Sequence, residues 1–266
     1  MSEDFFEEYM RARSKAMLQV GMSFLKREDL YVPVLEDVLK NHNDITINKK
    51  PYYGGFVSVK SIIGVYDSGR RKNFASNFMP LPKKREGDFA NKWARVEKTV
   101  PSWLESGNKI KLFEFLHDLY VAEGNRRVSV AKYKDIPFVD ATITRIIPSI
   151  ENASKEVKLY HDFLEFEKRT KISNLWFGAE SKYDELEEYA NFYAESYKGD
   201  YSDFFKDVFY PFKNAFNKLS DNRHQRYVGD IFLIYLREFD LNKKDDYKLK
   251  DFNKLTRKAM RVFDKK

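Results

Sequence analysis

The segment from 119 to 131 constrains the fold more than any other part of the chain. Leu119-Tyr120-Val121-Ala122 is apolar and β-prone and reads as a short strand. Glu123-Gly124-Asn125-Arg126-Arg127 reads as a turn, with Gly124 free to adopt the backbone of a tight reversal. Val128-Ser129-Val130-Ala131-Lys132 then reads as a helix start. A helix N-terminus carries unpaired N–H groups and partial positive charge, so it favours anions. Two guanidiniums at that point make a site suited to phosphate. The pattern points to the phosphate of a nucleotide or nucleic acid, not to a redox or metal centre.

The surrounding sequence separates into three stretches. Residues 1–50 are expected to supply N-terminal helices. Phe5, Phe6, Tyr9, Met10, Ala16, Met17 and Val20 recur at helical spacing over 3–20, and Pro33 is expected to open a second helix over 34–40. Asn41 to Asp44 carries turn chemistry. Ile45, Ile47, Val57, Val59, Ile62, Ile63 and Val65 are β-branched, and Gly54-Gly55 interrupts them, which predicts short strands around a turn. Residues 67–95 read as a charged loop, with helix towards 89–100. Residues 110–115 and 137–147 complete the strand candidates. From about 151 to 266 the pattern is helical. Apolar faces recur at Leu159, Tyr160, Phe163 and Phe166; at Leu186, Tyr189, Ala190, Tyr193 and Tyr197; and at Phe204, Phe205, Val208, Phe209, Phe212, Phe216 and Leu219. Pro211 marks a kink or break in the last of these. Residues 231–236 are nearly all apolar and predict a buried helix, and 249–263 an amphipathic one. The expected class is therefore α+β: a small mixed sheet with helices over 51–150, followed by an all-helical domain over 151–266.

Composition removes several chemistries. The chain has no Cys, which excludes disulfides, thiolate nucleophiles and cysteine metal sites. His42, His117, His161 and His224 are scattered, with no pair at metal-binding spacing, and no P-loop motif is present. No apolar run is long enough to span a bilayer. The acidic start lacks the features of a signal peptide, so a cytoplasmic location is expected. Net charge is +7, but 48 basic residues are mixed with 41 acidic ones, which is not a polycation.

Gly124-Asn125-Arg126-Arg127 between a strand and a helix resembles the Gly-Glu-Arg-Arg motif of the ParB/sulfiredoxin superfamily. In ParB proteins a strand ending in isoleucine leads, about eight residues on, to a loop arginine. Val57, Val59 and Ile62 match that strand, and Arg70 lies at that distance. The resemblance covers roughly 55–150. The chain is also similar to a group of ParB-domain proteins from Gram-positive bacteria at Asn77-Phe78-Met79-Pro80-Leu81, at 123–133, at Thr144-Arg145-Ile146-Ile147-Pro148, at Asn174-Leu175-Trp176-Phe177 and at Gly229-Asp230.

There are departures from the family pattern. Asn125 stands where ParB proteins have Glu and sulfiredoxins a catalytic Cys, so sulfiredoxin chemistry is excluded. Glu151-Asn152-Ala153-Ser154-Lys155 lacks the Gln-Arg of a third ParB motif, and no clear helix-turn-helix follows. The resemblance implies a nucleotide-binding protein. A nucleoside triphosphate with Mg2+ would sit between Arg70 and Arg71 on one side and Gly124, Asn125, Arg126 and Arg127 on the other. Arg127 matches the second motif arginine and is the principal phosphate candidate. Binding would couple to a partner or to self-association, as a homo-oligomer, through the aromatic helices. One alternative is a nuclease or phosphotransferase with Glu123 as the catalytic base. The other is a DNA-binding module using Lys83-Lys84-Arg85 and the C-terminal helix, with weak, sequence-independent contact.

Overall fold

The structure is a computed structural model and describes residues 6–42, 48–83, 88–197 and 199–265. Phe5, Asn43, Asp44, Ile45, Ile47, Lys84 and Arg85, which carried expectations above, lie outside the described residues. The chain divides into two compact units, Met1–Glu151 and Asn152–Lys266. It is a mixed α+β protein with a helical C-terminal region. No helix among the described residues is long and apolar enough to cross a membrane.

The first unit opens with α1 (Glu7–Lys26) and α2 (Leu35–Lys40). It continues through β1 (Asn48–Ser58), β2 (Ile62–Val65), α3 (Phe89–Lys98), α4 (Val100–Glu105), β3 (Ile110–Phe115), β4 (Asp118–Glu123), α5 (Asn125–Tyr133) and β5 (Phe138–Ile147). The five strands form one mixed sheet in the order β1-β5-β3-β4-β2. β5 pairs antiparallel with β1 and parallel with β3, while β4 pairs antiparallel with β3 and parallel with β2. In β3 and β5 the apolar residues alternate as a half-buried strand requires: Ile110, Leu112, Val139, Ala141 and Ile143 point inward, and Lys111 and Thr142 outward.

Several boundaries differ from the sequence reading. Gly54-Gly55 does not interrupt a strand. Both residues lie inside β1, paired with Thr142 and Ala141, because the ten residues of β5 supply a continuous ladder. Conversely, Val57, Val59 and Ile62 do not share one strand. A 3-10 turn, Val59–Ser61, separates β1 from β2 and swings the chain from one edge of the sheet to the other. The first helix runs on to Lys26, as nothing before Arg27 breaks it. The second starts one residue late, because Val34 bridges to Val65. The charged stretch after Asp67 is not wholly loop, since Ser68–Asn73 form a 3-10 turn, while α3 starts at Phe89 where a helix was expected. The helix after Gly124 starts at Asn125, three residues earlier than read, which puts both arginines in its first turn.

α5 sits at the centre of the unit. Val128 and Ala131 join Val57, Leu112, Val121 and Val139 in the core under the sheet. Val130 packs instead with Trp93, Ala90 and Tyr9. Ser129, fully buried, accepts a 2.9 Å hydrogen bond from Trp93 Nε1. Each fully buried Val or Trp contributes roughly 1.5–3 kcal/mol relative to exposure, so both faces of this nine-residue helix are held firmly.

At the β3–β4 reversal, Arg145 Nε donates to Glu114 Oε2 at 2.5 Å, with both side chains under a tenth exposed. The two residues are register partners on parallel strands. The Arg145 guanidinium also lies 3.4 Å from the Tyr52 ring centroid. Burial, helped by the Arg145 charge, pushes His117 down to about 3. The folded state therefore keeps this imidazole neutral where the unfolded chain, at about 6.5, takes up a proton. Its contribution is complete above about pH 6.5 and is lost as the pH falls towards 3. We expect the melting temperature to decline below about pH 6, and His117→Asn, which suits the left-handed backbone there, to flatten that decline. An unchanged pH profile in the variant would refute the assignment.

The second unit holds α6 (Lys155–Thr170), α7 (Tyr183–Tyr197), α8 (Tyr201–Phe204), α9 (Tyr210–Leu219), α10 (Asn222–Gln225), α11 (Val228–Glu238) and α12 (Leu249–Phe263). A π turn, Phe205–Phe209, joins α8 to α9 and ends just before Pro211, whose missing N–H and ring bulk disfavour a regular helix there. The rings of Phe204, Phe205, Phe209, Phe212 and Phe216 are core. Every residue from Val228 to Leu236 except Asp230 is buried. Gly229 N–H donates to the Trp176 carbonyl at 2.8 Å, and Asp230 accepts from Gly178 N–H at 2.8 Å. A Cβ on Gly229 would stand 2.7 Å from that carbonyl, so only glycine permits the approach.

Lys213 is 8% exposed and lies over the Trp176 and Phe216 rings, with Gln225 Oε1 at 3.5 Å and no carboxylate ion pair among the described residues. Burial pushes its amine down to about 8. At pH 7 the buried charge costs stability, a cost relieved as the pH rises from about 8 towards the ordinary lysine value. Lys213→Met should raise the melting temperature at pH 7, by a margin that shrinks above pH 8. A lower melting temperature would show that the ring contacts outweigh desolvation.

Candidate anion-binding site

β4 delivers the chain to Gly124, which adopts φ 105° and caps α5 without any side-chain hydrogen bond. The left-handed turn favours glycine, and a Cβ here would also press on Arg127 Nη2 at 3.1 Å and Ile110 Cγ1 at 3.3 Å. The first-turn N–H groups of α5 are left without a capping side chain. Asn125 Oδ1 and Arg126 Nε are buried atoms with no hydrogen-bond partner among the described residues.

The two arginines of the motif point to different tasks. Arg126 places its guanidinium 4.9 Å from the Phe89 ring centroid. Burial lowers its affinity for a proton, Arg70 repels it further, and Asp88 partly compensates. The 3-10 turn Ser68–Asn73 thus brings Arg70 towards α5. Asp67 caps that turn by accepting from Gly69 N–H at 2.7 Å and lies 3.6 Å from Arg70 Nε. Arg127 turns the other way. Its guanidinium donates to the carbonyl of Asn108 and, at 3.3 Å, to that of Lys109. It lines a small cleft with Trp103, Leu104, Ile110 and Asp140. Burial lowers its proton affinity too, opposed by Glu123.

The remaining candidates are spread out. Arg71 reaches Asp37 at 3.5 Å. Glu123 is exposed and paired with Lys111 at 3.0 Å. The structure therefore gathers Arg70, Gly124, Asn125 and Arg126, and gives Arg71, Glu123 and Arg127 other partners.

Two contributors escaped the sequence reading. Phe74 lies 5.5 Å from Phe78 and 5.6 Å from Phe89, a row of three rings. Arg126 stands over one end, and Lys132 over the other, 5.3 Å from Phe78. Burial pushes Lys132 down to about 8, which leaves it mainly cationic at pH 7. Phe78 holds a left-handed backbone, φ 66°, inside the Asn77–Leu81 stretch. Nothing local in the sequence links residues 74, 78 and 89 to 126 and 132.

Comparison with protein-family models, with curated proteins and with solved structures found no match for this chain.

Arg127 acts here as a brace between α5 and the loop before β3. Removing a charged donor from backbone carbonyls costs about 1.5–3 kcal/mol. Arg127→Ala should lower the melting temperature and speed amide exchange around residues 106–109. If stability and exchange are unchanged, Arg127 is free to serve a ligand instead.

Proposed function

We propose that the first unit is a ParB-like nucleotide-binding domain. Its ligand's phosphates lie at the start of α5, between Arg126 and Arg70. The observation that carries this reading is the uncapped start of α5, where Asn125 Oδ1 and Arg126 Nε are buried without a hydrogen-bond partner among the described residues and Arg70 repels Arg126. Like charges brought together, one of them half-buried, raise the energy of the free protein, and a bound anion relieves that cost. The uncapped N–H groups behind Gly124 and the unpaired atoms of Asn125 and Arg126 add donors and an acceptor at the same place. The strand–turn–helix–strand order over β3, β4, α5 and β5 supports the ParB-like assignment.

The donor set suits phosphate better than metal. Asp88 pairs with Lys92 at 2.7 Å, Asp67 is occupied by its own turn, and Glu123 by Lys111. If the ligand is a triphosphate, Mg2+ would arrive on its phosphates, which need few protein carboxylates. Coupling of binding to a partner or to self-association is part of the same proposal.

The test is thermal shift followed by calorimetry with the four ribonucleoside triphosphates, ADP and a DNA duplex, with and without Mg2+. Ligand binding to the native state raises the melting temperature by mass action. At least one triphosphate should do so, and Arg70→Ala and Arg126→Ala should each weaken it about tenfold or more while circular dichroism stays unchanged. No shift with any nucleotide, or equal affinity in both variants, would overturn the reading. A response to DNA alone would favour the nucleic-acid alternative.

A further inference from the structure

α1 has two faces of unequal use. One is buried: Tyr9, Ala12, Ala16 and Ser23 are almost fully covered. The other carries Met10, Met17, Leu18, Met22, Phe24 and Leu25, with exposures from 43% to 82%. At 100° per residue, these six side chains and Ser14 and Gly21 fall on one face, with exposed Arg11 at its edge between Leu18 and Met22. The stripe runs about 22 Å along the helix at 1.5 Å per residue. Isolated exposed apolar residues are ordinary, but a contiguous set on one helix face marks an interaction surface.

We propose that this face is a homodimer interface in which α1 pairs antiparallel with α1 of a second copy. The first support is area. At about 200 Å2 for a whole large side chain, the exposed parts of the six amount to roughly 700 Å2, close to the ~800 Å2 per partner of a standard interface. The second is the helix dipole. Antiparallel pairing opposes the dipoles of the two helices, whereas parallel pairing stacks like on like. The third is register. A two-fold axis between Met17 and Leu18 sets Ser14 opposite Gly21 of the second copy, and Met10 opposite Leu25. Space beside Gly21 is open, with nothing within 4 Å of the place a Cβ would take. Two small residues at the crossing let the helices approach closely, with long apolar side chains on either side.

The experiment is light scattering and sedimentation over a concentration series of the full chain. The wild type should form a dimer. Leu18→Glu with Leu25→Glu should make it monomeric while circular dichroism and melting temperature stay near wild type, since both side chains are exposed. Gly21→Trp, which meets open space in the single chain, should weaken the dimer about tenfold or more by blocking the close crossing. A wild type that stays monomeric at all concentrations, or a dimer indifferent to the paired Glu substitutions, would overturn the proposal. So would a monomer that sediments with anionic phospholipid vesicles, which would make the stripe a lipid-binding face. A dimer indifferent to Gly21→Trp would overturn the crossing at Ser14 and Gly21.

Discussion

Burial of α5 against the sheet is the constraint on which the first unit depends. Val128 and Ala131 reach the core only if the chain reverses within one residue of the end of β4, and Gly124 makes that reversal with a left-handed backbone that favours glycine. The opposite face of α5 is committed as well, through Val130 and the Ser129–Trp93 hydrogen bond. A helix held on both faces has no freedom to rotate. Its first turn, and the arginines on it, are therefore set by packing rather than by charge.

Charge then distinguishes the arginines that are satisfied from the one that is not. Arg145 and Glu114 are buried together at hydrogen-bond distance, so their desolvation is largely repaid by their own attraction. Arg127 is satisfied by backbone carbonyls. Arg126 is compensated only in part, by Asp88: it is half-buried, stacked on a ring and repelled by Arg70. Stability alone does not favour such an arrangement. Unrelieved cost of this kind concentrates where a ligand is bound. Lys213 shows that burial of a cation is not sufficient by itself, because it lies among rings and no second cation or uncapped helix converges on it.

The second unit shows a similar economy in packing. Its phenylalanines and tyrosines stack and tilt against one another along α7, α9 and α11, as in the Phe212–Phe216 and Phe232–Tyr235 pairs. Rings used in this way are interior. On the first unit, exposed apolar side chains include Phe56 and Phe138 on paired strands and the row of methionines and leucines on α1.

The sequence by itself determined the class, the β3–β4–turn–α5–β5 succession and the buried character of 231–236. Each of these rests on local periodicity and on glycine, which act within a few residues. Periodicity could not show that Gly54-Gly55 lies within a strand, because the ladder that holds it comes from β5, some ninety residues on. Nor could it show the break at Val59–Ser61, where β-branched residues continue but the chain must cross to the far edge of the sheet. At the site, Gly124, Arg126 and Arg70 were legible as a motif with a matching distance. Which arginine stacks on a ring near Arg70 and which braces a loop was decided only by tertiary structure. Asn108 and Lys109, which occupy Arg127, and Phe89 and Arg70, which surround Arg126, are brought there by packing between elements distant in the chain, and no local pattern encodes such a meeting.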